Sequence, residues 1–228
     1  VTLDRGSTTN LTSASADIGG EDGASFKCSI DGGDYDTCAT GVQYTDLSYG
    51  DHTLDVTQTD AVGNESTPQH VGWTIAQLQV ASQPVLNVAT KANLDLGTAL
   101  SVSGYAFSGS AGELRTTRVW QRCPTTNIFQ CRPIAGASSD SYTATSADVG
   151  YRLRFVVTHV TVERVSLGAA TGMTGFVLPT ASGTPTIGIP GSLSAPAYGR
   201  TLSVSGLTWT GLPRGTDVLP PGFCAVTV

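Results

Sequence analysis

Apolar and polar residues alternate with a period of two along much of the chain, a pattern typical of β-strands with one buried face. The stretch from Phe26 to Ile30 has this alternation, and so do Leu153, Phe155 and Val157 with the residues between them. The 27 glycines and many Thr and Ser residues predict frequent turns, and no segment has strong helical periodicity. The pattern therefore predicts an all-β chain.

Turn signals divide the first part of the chain into short strands. Asp31-Gly32-Gly33 follows the Phe26–Ile30 strand, and Asp-Gly favours a hairpin because glycine accepts a positive φ. Tyr49-Gly50-Asp51 and the loop 60–64 predict two further turns, and alternation at residues 71–75 predicts the last strand.

The second part of the chain is predicted to form its core around Trp120. This residue lies in an alternating stretch that ends at Cys123, and it is the largest candidate for burial in this half of the chain. Residues 146–150 predict a tight corner before the Leu153 strand, with the Asp148 side chain bonded to the loop backbone and Tyr142 packed over it.

An internal repeat predicts a third module. The segment Gly97–Gly104 recurs 102 residues later as Gly199–Gly206, and the same offset aligns Phe107 with Trp209. We expect modules at residues 1–76 and 77–178, with a truncated module at 179–228 that is loosely packed beyond Pro190.

The five cysteines predict two disulfides, Cys28–Cys38 and Cys123–Cys131, and leave Cys224 over. Zinc is the competing explanation, but nine and seven intervening residues do not match the Cys-x2-4-Cys spacing of zinc sites. Disulfides in a Thr- and Gly-rich chain indicate an oxidising compartment.

The net charge of −6 is unevenly distributed. Residues 1–76 carry 12 acidic and 2 basic residues, which argues against binding of nucleic acid because phosphate binding needs clustered Lys and Arg. Residues 77–178 carry 8 basic and 5 acidic residues, which we interpret as a solvated strand face. No apolar run approaches the length of a membrane span.

Three groups of residues are weak candidates for a site. The carboxylates of Asp31, Asp34 and Asp36 can be read as a calcium loop with Asp60 or Asn64, but a hydrated hairpin turn explains them better. The three histidines, His52, His70 and His159, lack a catalytic motif in the sequence, so we expect no enzyme activity and no cofactor. The three tryptophans, Trp73, Trp120 and Trp209, are candidates for a sugar-binding platform, although strand tryptophans usually lie in the core.

Two stretches resemble bacterial immunoglobulin-like repeats of secreted and cell-surface proteins. The first, about Ser25 to Ile75, has Phe-x-Cys-Ser-Ile-Asp-Gly-Gly, a later Cys, Gly-x-His-Thr-Leu-x-Val, Asp-x-x-Gly-Asn and Trp-Thr-Ile. The second, about Gly97 to Val177, has Gly-x-x-Leu-x-Val, Trp-Gln-Arg-Cys, a second Cys and Tyr-x5-Asp-x-Gly. The resemblance implies tandem immunoglobulin-like β-sandwiches, the last one truncated.

The resemblance also implies a non-catalytic spacer in a bacterial extracellular or surface-anchored protein. Its expected partners are neighbouring repeat domains of the same chain, and a surface protein or glycan is a further candidate. Two alternatives remain open: an adhesion or carbohydrate-binding module, and an accessory region of a secreted hydrolase.

Overall fold

The structure, a computed structural model, describes residues 1–183, 186–188, 203–206 and 208–210. These residues form β-strands and two short 3-10 turns, Ile128–Gln130 and Ser146–Asp148, with no α-helix among them. The prediction of an all-β chain is confirmed. Cys224, and most of the segment beyond Pro190 that was expected to pack loosely, lie outside the described residues. In the described part of the chain no helix has the length and apolar character to cross a membrane.

The chain divides into two compact units, and neither is a single continuous segment. The first unit contains residues 1–83, 105–117 and 157–169, and the second contains the remaining segments, 84–104, 118–156 and 170–228. The module boundaries at residues 76 and 178, which come from the sequence, remain predictions.

Eight strands occupy the first 75 residues: β1 Thr2–Leu3, β2 Thr8–Thr9, β3 Ala14–Asp17, β4 Ser25–Ile30, β5 Asp36–Cys38, β6 Val42–Tyr44, β7 Gly50–Thr59 and β8 Gln69–Ile75. They form a five-stranded sheet in the order β2-β8-β7-β4-β5 and a three-stranded sheet in the order β1-β3-β6. Strands β4 and β8 both pair antiparallel with the long β7, and β2 is parallel to β8.

The core of this region draws side chains from both sheets. Leu54 is 0% exposed and packs in one cluster with Trp73 and Ile75 of the larger sheet and with Ala14 and Ala16 of the smaller one. The first 22 residues therefore contribute strands to both sheets, β1 and β3 to the smaller one and β2 to the larger one.

Eleven strands follow: β9 Gln79–Ser82, β10 Val85–Leu86, β11 Leu94–Asp95, β12 Ala99–Ser103, β13 Ala106–Ser108, β14 Glu113–Cys123, β15 Arg132–Pro133, β16 Ser141–Thr143, β17 Arg152–Thr161, β18 Ser166–Ala170 and β19 Val177–Leu178. They form a four-stranded sheet in the order β15-β14-β17-β18, a three-stranded sheet in the order β10-β12-β16, and the pairs β9–β13 and β11–β19. Strands β14 and β17 contribute residues to both units.

Trp120 lies at the centre of the second unit, as predicted. It is 0% exposed, and its indole N–H donates to the carbonyl oxygen of Ser139 at 2.9 Å. The indole stacks on Tyr142 with ring centroids 5.6 Å apart and meets the edge of Phe155 at 5.5 Å. Because the indole N–H has a partner, the ring is buried without leaving a polar group unsatisfied.

Four further strands are described after residue 179: β20 Thr180–Ser182, β21 Thr186–Gly188, β22 Ser203–Ser205 and β23 Thr208–Thr210. Strand β23 begins 102 residues after β13, the offset of the internal repeat. The antiparallel pair β20–β23 corresponds to β9–β13 with a register difference of one to two residues, and β21–β22 corresponds to β10–β12 with a difference of one residue.

Candidate functional site

The first disulfide lies on the hairpin between β4 and β5. Cys28 and Cys38 are bonded with their Cα atoms 5.8 Å apart. Cys38 is opposite Phe26 in the register, and Cys28 is opposite Asp36, so the disulfide is diagonal across the strand pair. The predicted pairing of Cys28 with Cys38 is confirmed, and the diagonal register is a detail that the length of the turn does not reveal.

The second disulfide closes the loop that leaves the Trp120 strand. Cys123 ends β14, and Cys131 follows the 3-10 turn at residues 128–130, with 4.1 Å between the Cα atoms. Cys123 is 0% exposed, so the bond is anchored in the core of the second unit. Two disulfides indicate an oxidising environment of the extracellular type.

A buried carboxylate fixes the corner at residues 146–150. Asp148 is 0% exposed, and its carboxylate accepts hydrogen bonds from the Tyr142 hydroxyl at 2.7 Å, the Thr145 N–H at 2.7 Å and the Thr145 hydroxyl at 2.8 Å. The Arg122 Nε–H donates to the other carboxylate oxygen. The predicted role of Asp148 in binding the corner backbone is confirmed, and Arg122 is the partner that sequence reasoning missed.

The electrostatics of this corner favour the charged carboxylate. Burial acts to raise the pKa of Asp148, but the hydrogen bonds from Arg122, Thr145 and Tyr142 outweigh burial and lower that pKa. Burial and the Asp148 carboxylate raise the pKa of the Tyr142 phenol. Arg122, two strand residues after Trp120, connects this network to the strand at the centre of the unit.

A hydrogen-bonded His–Asp pair joins the turn after β4 to the start of β7. The His52 ring is nearly buried, and its Nδ1 lies 2.7 Å from the Asp31 carboxylate while its Nε2 lies 2.8 Å from the Ser48 carbonyl oxygen. Burial acts to lower the pKa of His52, but these two acceptors outweigh it and raise the pKa. The ring also stacks on Trp73, with centroids 5.5 Å apart.

The structure does not gather the calcium candidates into a metal site. Asp31 is occupied by His52 and by the N–H of Thr53, and Asp34 and Asp36 are exposed. Among the described residues no group of three or more His, Cys, Asp or Glu side chains is arranged to hold a metal ion. The carboxylate of Asp60 accepts from the N–H groups of Val62 and Asn64, so the second candidate loop is an Asx-type turn.

All three histidines have partners that sequence spacing did not reveal. The exposed His70 is hydrogen-bonded to Asp55 on the neighbouring strand. His159, buried under the ring of Phe107, lies 3.1 Å from the Ser110 hydroxyl and 3.2 Å from the Thr116 hydroxyl. The nearest carboxylate to its Nδ1, that of Glu113, is 3.9 Å away, beyond hydrogen-bond distance. This arrangement is a satisfied buried histidine.

Two of the three tryptophans do not form a platform. Trp73 is 3% exposed and Trp120 is 0% exposed, so neither presents a ring face to a sugar. The side chain of Trp209 lies outside the described residues.

Comparison with known proteins does not assign the chain to a family. No model of a known protein family matches the sequence, and no curated protein matches it.

Proposed function

We propose that the chain is a non-catalytic spacer, built from tandem immunoglobulin-like β-sandwich modules, in a bacterial extracellular or cell-surface protein. The observation that carries the proposal is that each compact unit contains one short-range disulfide and one buried strand tryptophan. The sequence motifs around these residues supply the resemblance to immunoglobulin-like repeats.

The recurrence of strand pairs supports a tandem array. Strand pairs β9–β13 and β10–β12 are followed about 102 residues later by β20–β23 and β21–β22. An array that repeats one β unit sets a distance between other domains without needing a site of its own.

The disulfides suit a spacer that works outside the cell. The Cys28–Cys38 and Cys123–Cys131 bonds have sequence separations of 10 and 8 residues. Loop-closure entropy for loops of this size corresponds to about 2.5–3 kcal/mol of stabilisation each. This stabilisation lowers the population of opened states that extracellular proteases cleave.

Single-molecule pulling from the two ends of the oxidised chain tests the spacer function. A spacer resists extension until a unit unfolds cooperatively, so we expect separate unfolding events of the two units. Gradual extension without any cooperative event contradicts the proposal.

A further inference from the structure

We infer that a pocket in the second unit binds a small amphipathic oxyanion, with a carboxylate or phosphate head and an apolar body. The pocket has a volume of about 680 Å³. It lies beside the face of β17 opposite Leu153 and Phe155, and its lining includes Lys91, Asn93, Ile128, Arg152, Arg154 and Met173. This binding site goes beyond the spacer function and does not depend on it.

The charge of the lining selects an anion. Lys91, Arg152 and Arg154 line the pocket, and no carboxylate of the described residues does. Elsewhere in the same unit Arg122 and Arg118 are paired with the carboxylates of Asp148 and Asp140. The lining of the pocket therefore carries positive charge that no residue of the lining neutralises.

Arg154 is the strongest candidate to bind the anionic head. Its Nε is buried, and no hydrogen-bond partner for it exists among the described residues. Burial removes part of the hydration of the guanidinium and lowers the pKa of Arg154. An oxyanion restores the missing interactions, because a guanidinium binds carboxylate or phosphate through two parallel N–H groups.

Arg152 is held in place by the protein and completes the cationic side. Its Nη1 donates to the Thr174 carbonyl oxygen at 3.1 Å, and its guanidinium lies 4.2 Å from the centre of the Phe176 ring. These contacts fix the side chain, so binding an anion near it costs little side-chain entropy.

The loop that carries Lys91 is fastened to the opposite rim. The Lys91 N–H donates to the Met173 carbonyl oxygen at 2.9 Å, and the Gly175 N–H donates to Ala92 at 2.7 Å. Lys91 has a φ of +67°, a left-handed conformation that is uncommon for a lysine. A side chain on Gly172 would approach Thr90 to 2.8 Å, so the two rims are in close contact.

The apolar part of the lining selects the body of the ligand. Ile128, on the loop closed by the second disulfide, is 55% exposed and lines the pocket together with Met173. The pocket volume is in the range of small-molecule sites. The basic residues of this half, interpreted from the sequence as a solvated face, thus include two strand arginines that line a pocket.

Titration of the intact chain with matched six-carbon probes tests the site, with amide chemical shifts as the readout. Hexanoate and hexyl phosphate carry the head and body, hexanamide lacks the charge, and acetate and inorganic phosphate lack the body. We expect hexanoate or hexyl phosphate to bind more tightly than the other three, with shifts centred on Lys91, Asn93, Ile128 and Met173. Which of the two binds more tightly identifies the head group. Equal binding of hexanamide, or shifts centred elsewhere, overturns the inference.

Variants separate the contribution of each cation. Arg154→Met should weaken binding of the preferred probe by about 10- to 100-fold, the loss of a charge-assisted hydrogen bond. Lys91→Gly should weaken it by about two- to fivefold without destabilising the fold, because glycine accepts the positive φ. Arg115→Met, at an exposed residue that does not line the pocket, is the matched control and should bind as the parent does. Unchanged affinity of a folded Arg154→Met variant contradicts the role of Arg154 in binding the head group. If that variant does not fold, the amide shift changes of the parent chain decide whether the pocket is the binding site.

Discussion

Replacing Asp148 by Asn tests whether the buried corner network holds the second unit together. The substitution preserves the shape of the side chain but removes its charge and converts one acceptor into a donor. In the structure every partner of this carboxylate is a donor: the Arg122 guanidinium, the Tyr142 hydroxyl, and the N–H and hydroxyl of Thr145. The NH2 group of an asparagine at this position must therefore face at least one of these donors, and the two groups cannot hydrogen-bond to each other.

The expected cost follows from these contacts. Losing the charge-assisted bond to Arg122 costs about 1.5–3 kcal/mol, and an unsatisfied buried donor costs about 1–3 kcal/mol. The Arg122 side chain is 28% exposed, so water recovers part of the first loss. We expect a net destabilisation of about 3 kcal/mol at pH 7.

The cost should shrink in acid. The pKa of Asp148 in the folded chain is lowered from its ordinary value of 3.8, so the charged carboxylate contributes stability that is fully present above pH 3.8. This contribution is lost as the pH falls through the lowered folded-state pKa. The difference in unfolding free energy between the parent and the Asp148→Asn variant should therefore decrease below pH 3.8.

Hydrogen exchange measured peptide by peptide in increasing urea is the assay, because it separates the two units. Peptides from residues 141–156 should lose protection at about 1–3 M lower urea in the variant, given urea slopes of about 1–3 kcal/mol/M. Peptides from residues 50–75, in the first unit, serve as the internal control. Asp140→Asn, at a partly exposed ion pair with Arg118, is the matched control and should change stability by less than about 1 kcal/mol. A loss under about 0.5 kcal/mol for Asp148→Asn, or one that is the same at pH 7 and pH 3, refutes the reasoning.

Three further predictions concern the first unit. The raised pKa of His52 gives stability present below pH 6.5 and lost as the pH rises through the folded-state pKa, while the lowered pKa of Asp31 gives stability present above pH 3.8 and lost in acid. Thermal melts should therefore show that the Asp31–His52 pair adds under about 1 kcal/mol of stability between pH 3.8 and pH 6.5, and that Asp31→Asn abolishes this addition. The same dependence of stability on pH in the parent and in the variant contradicts the prediction. Asn10→Ala should lower the free energy of unfolding by about 3 kcal/mol, because the nearly buried amide forms hydrogen bonds with three backbone groups. Urea unfolding measures this loss, and a loss below about 1 kcal/mol contradicts the prediction. Replacing Cys28 and Cys38 together by Ala should cost about 2.5–3 kcal/mol, and an unchanged melting temperature under oxidising conditions argues against it.

Strands with alternating side chains were predictable from the sequence because burial of one face imposes the period of two. Leu153, Phe155 and Val157 are each 0% exposed, and the buried ring of Trp120 contacts Phe155. The corner at Asp148 was also predictable, because its loop contacts are local and an Asp before a tight turn bonds its own backbone.

The first three strands were not predictable because the buried residues in and beside them are small or polar. Ala14 and Ala16 lie in the core, and Thr9 and Asn10 are buried by contacts to distant segments. Composition marks such a stretch as a linker, since only tertiary partners distinguish a buried Thr or Asn from an exposed one.

The candidate sites depend on long-range neighbours for the same reason. Asp31 meets His52 because β4 pairs with β7 in a particular register, which the sequence does not specify. The pocket of Lys91, Ile128, Arg154 and Met173 brings together four segments that no local pattern relates. Only the excess of arginine in this half hinted at it.

The central claim, that the chain is a spacer of disulfide-stapled β units, is tested most directly by pulling it before and after reduction. Each disulfide prevents the chain between its two cysteines from extending under force. The sequence separations are 10 and 8 residues, and the Cα atoms are held 5.8 and 4.1 Å apart. At about 3.4 Å per extended residue, reduction should lengthen the unfolded first unit by about 3 nm and the second by about 2 nm. Two cooperative unfolding events whose lengths grow by these amounts are the predicted result. An extension that is gradual, or whose length does not change on reduction, contradicts the account.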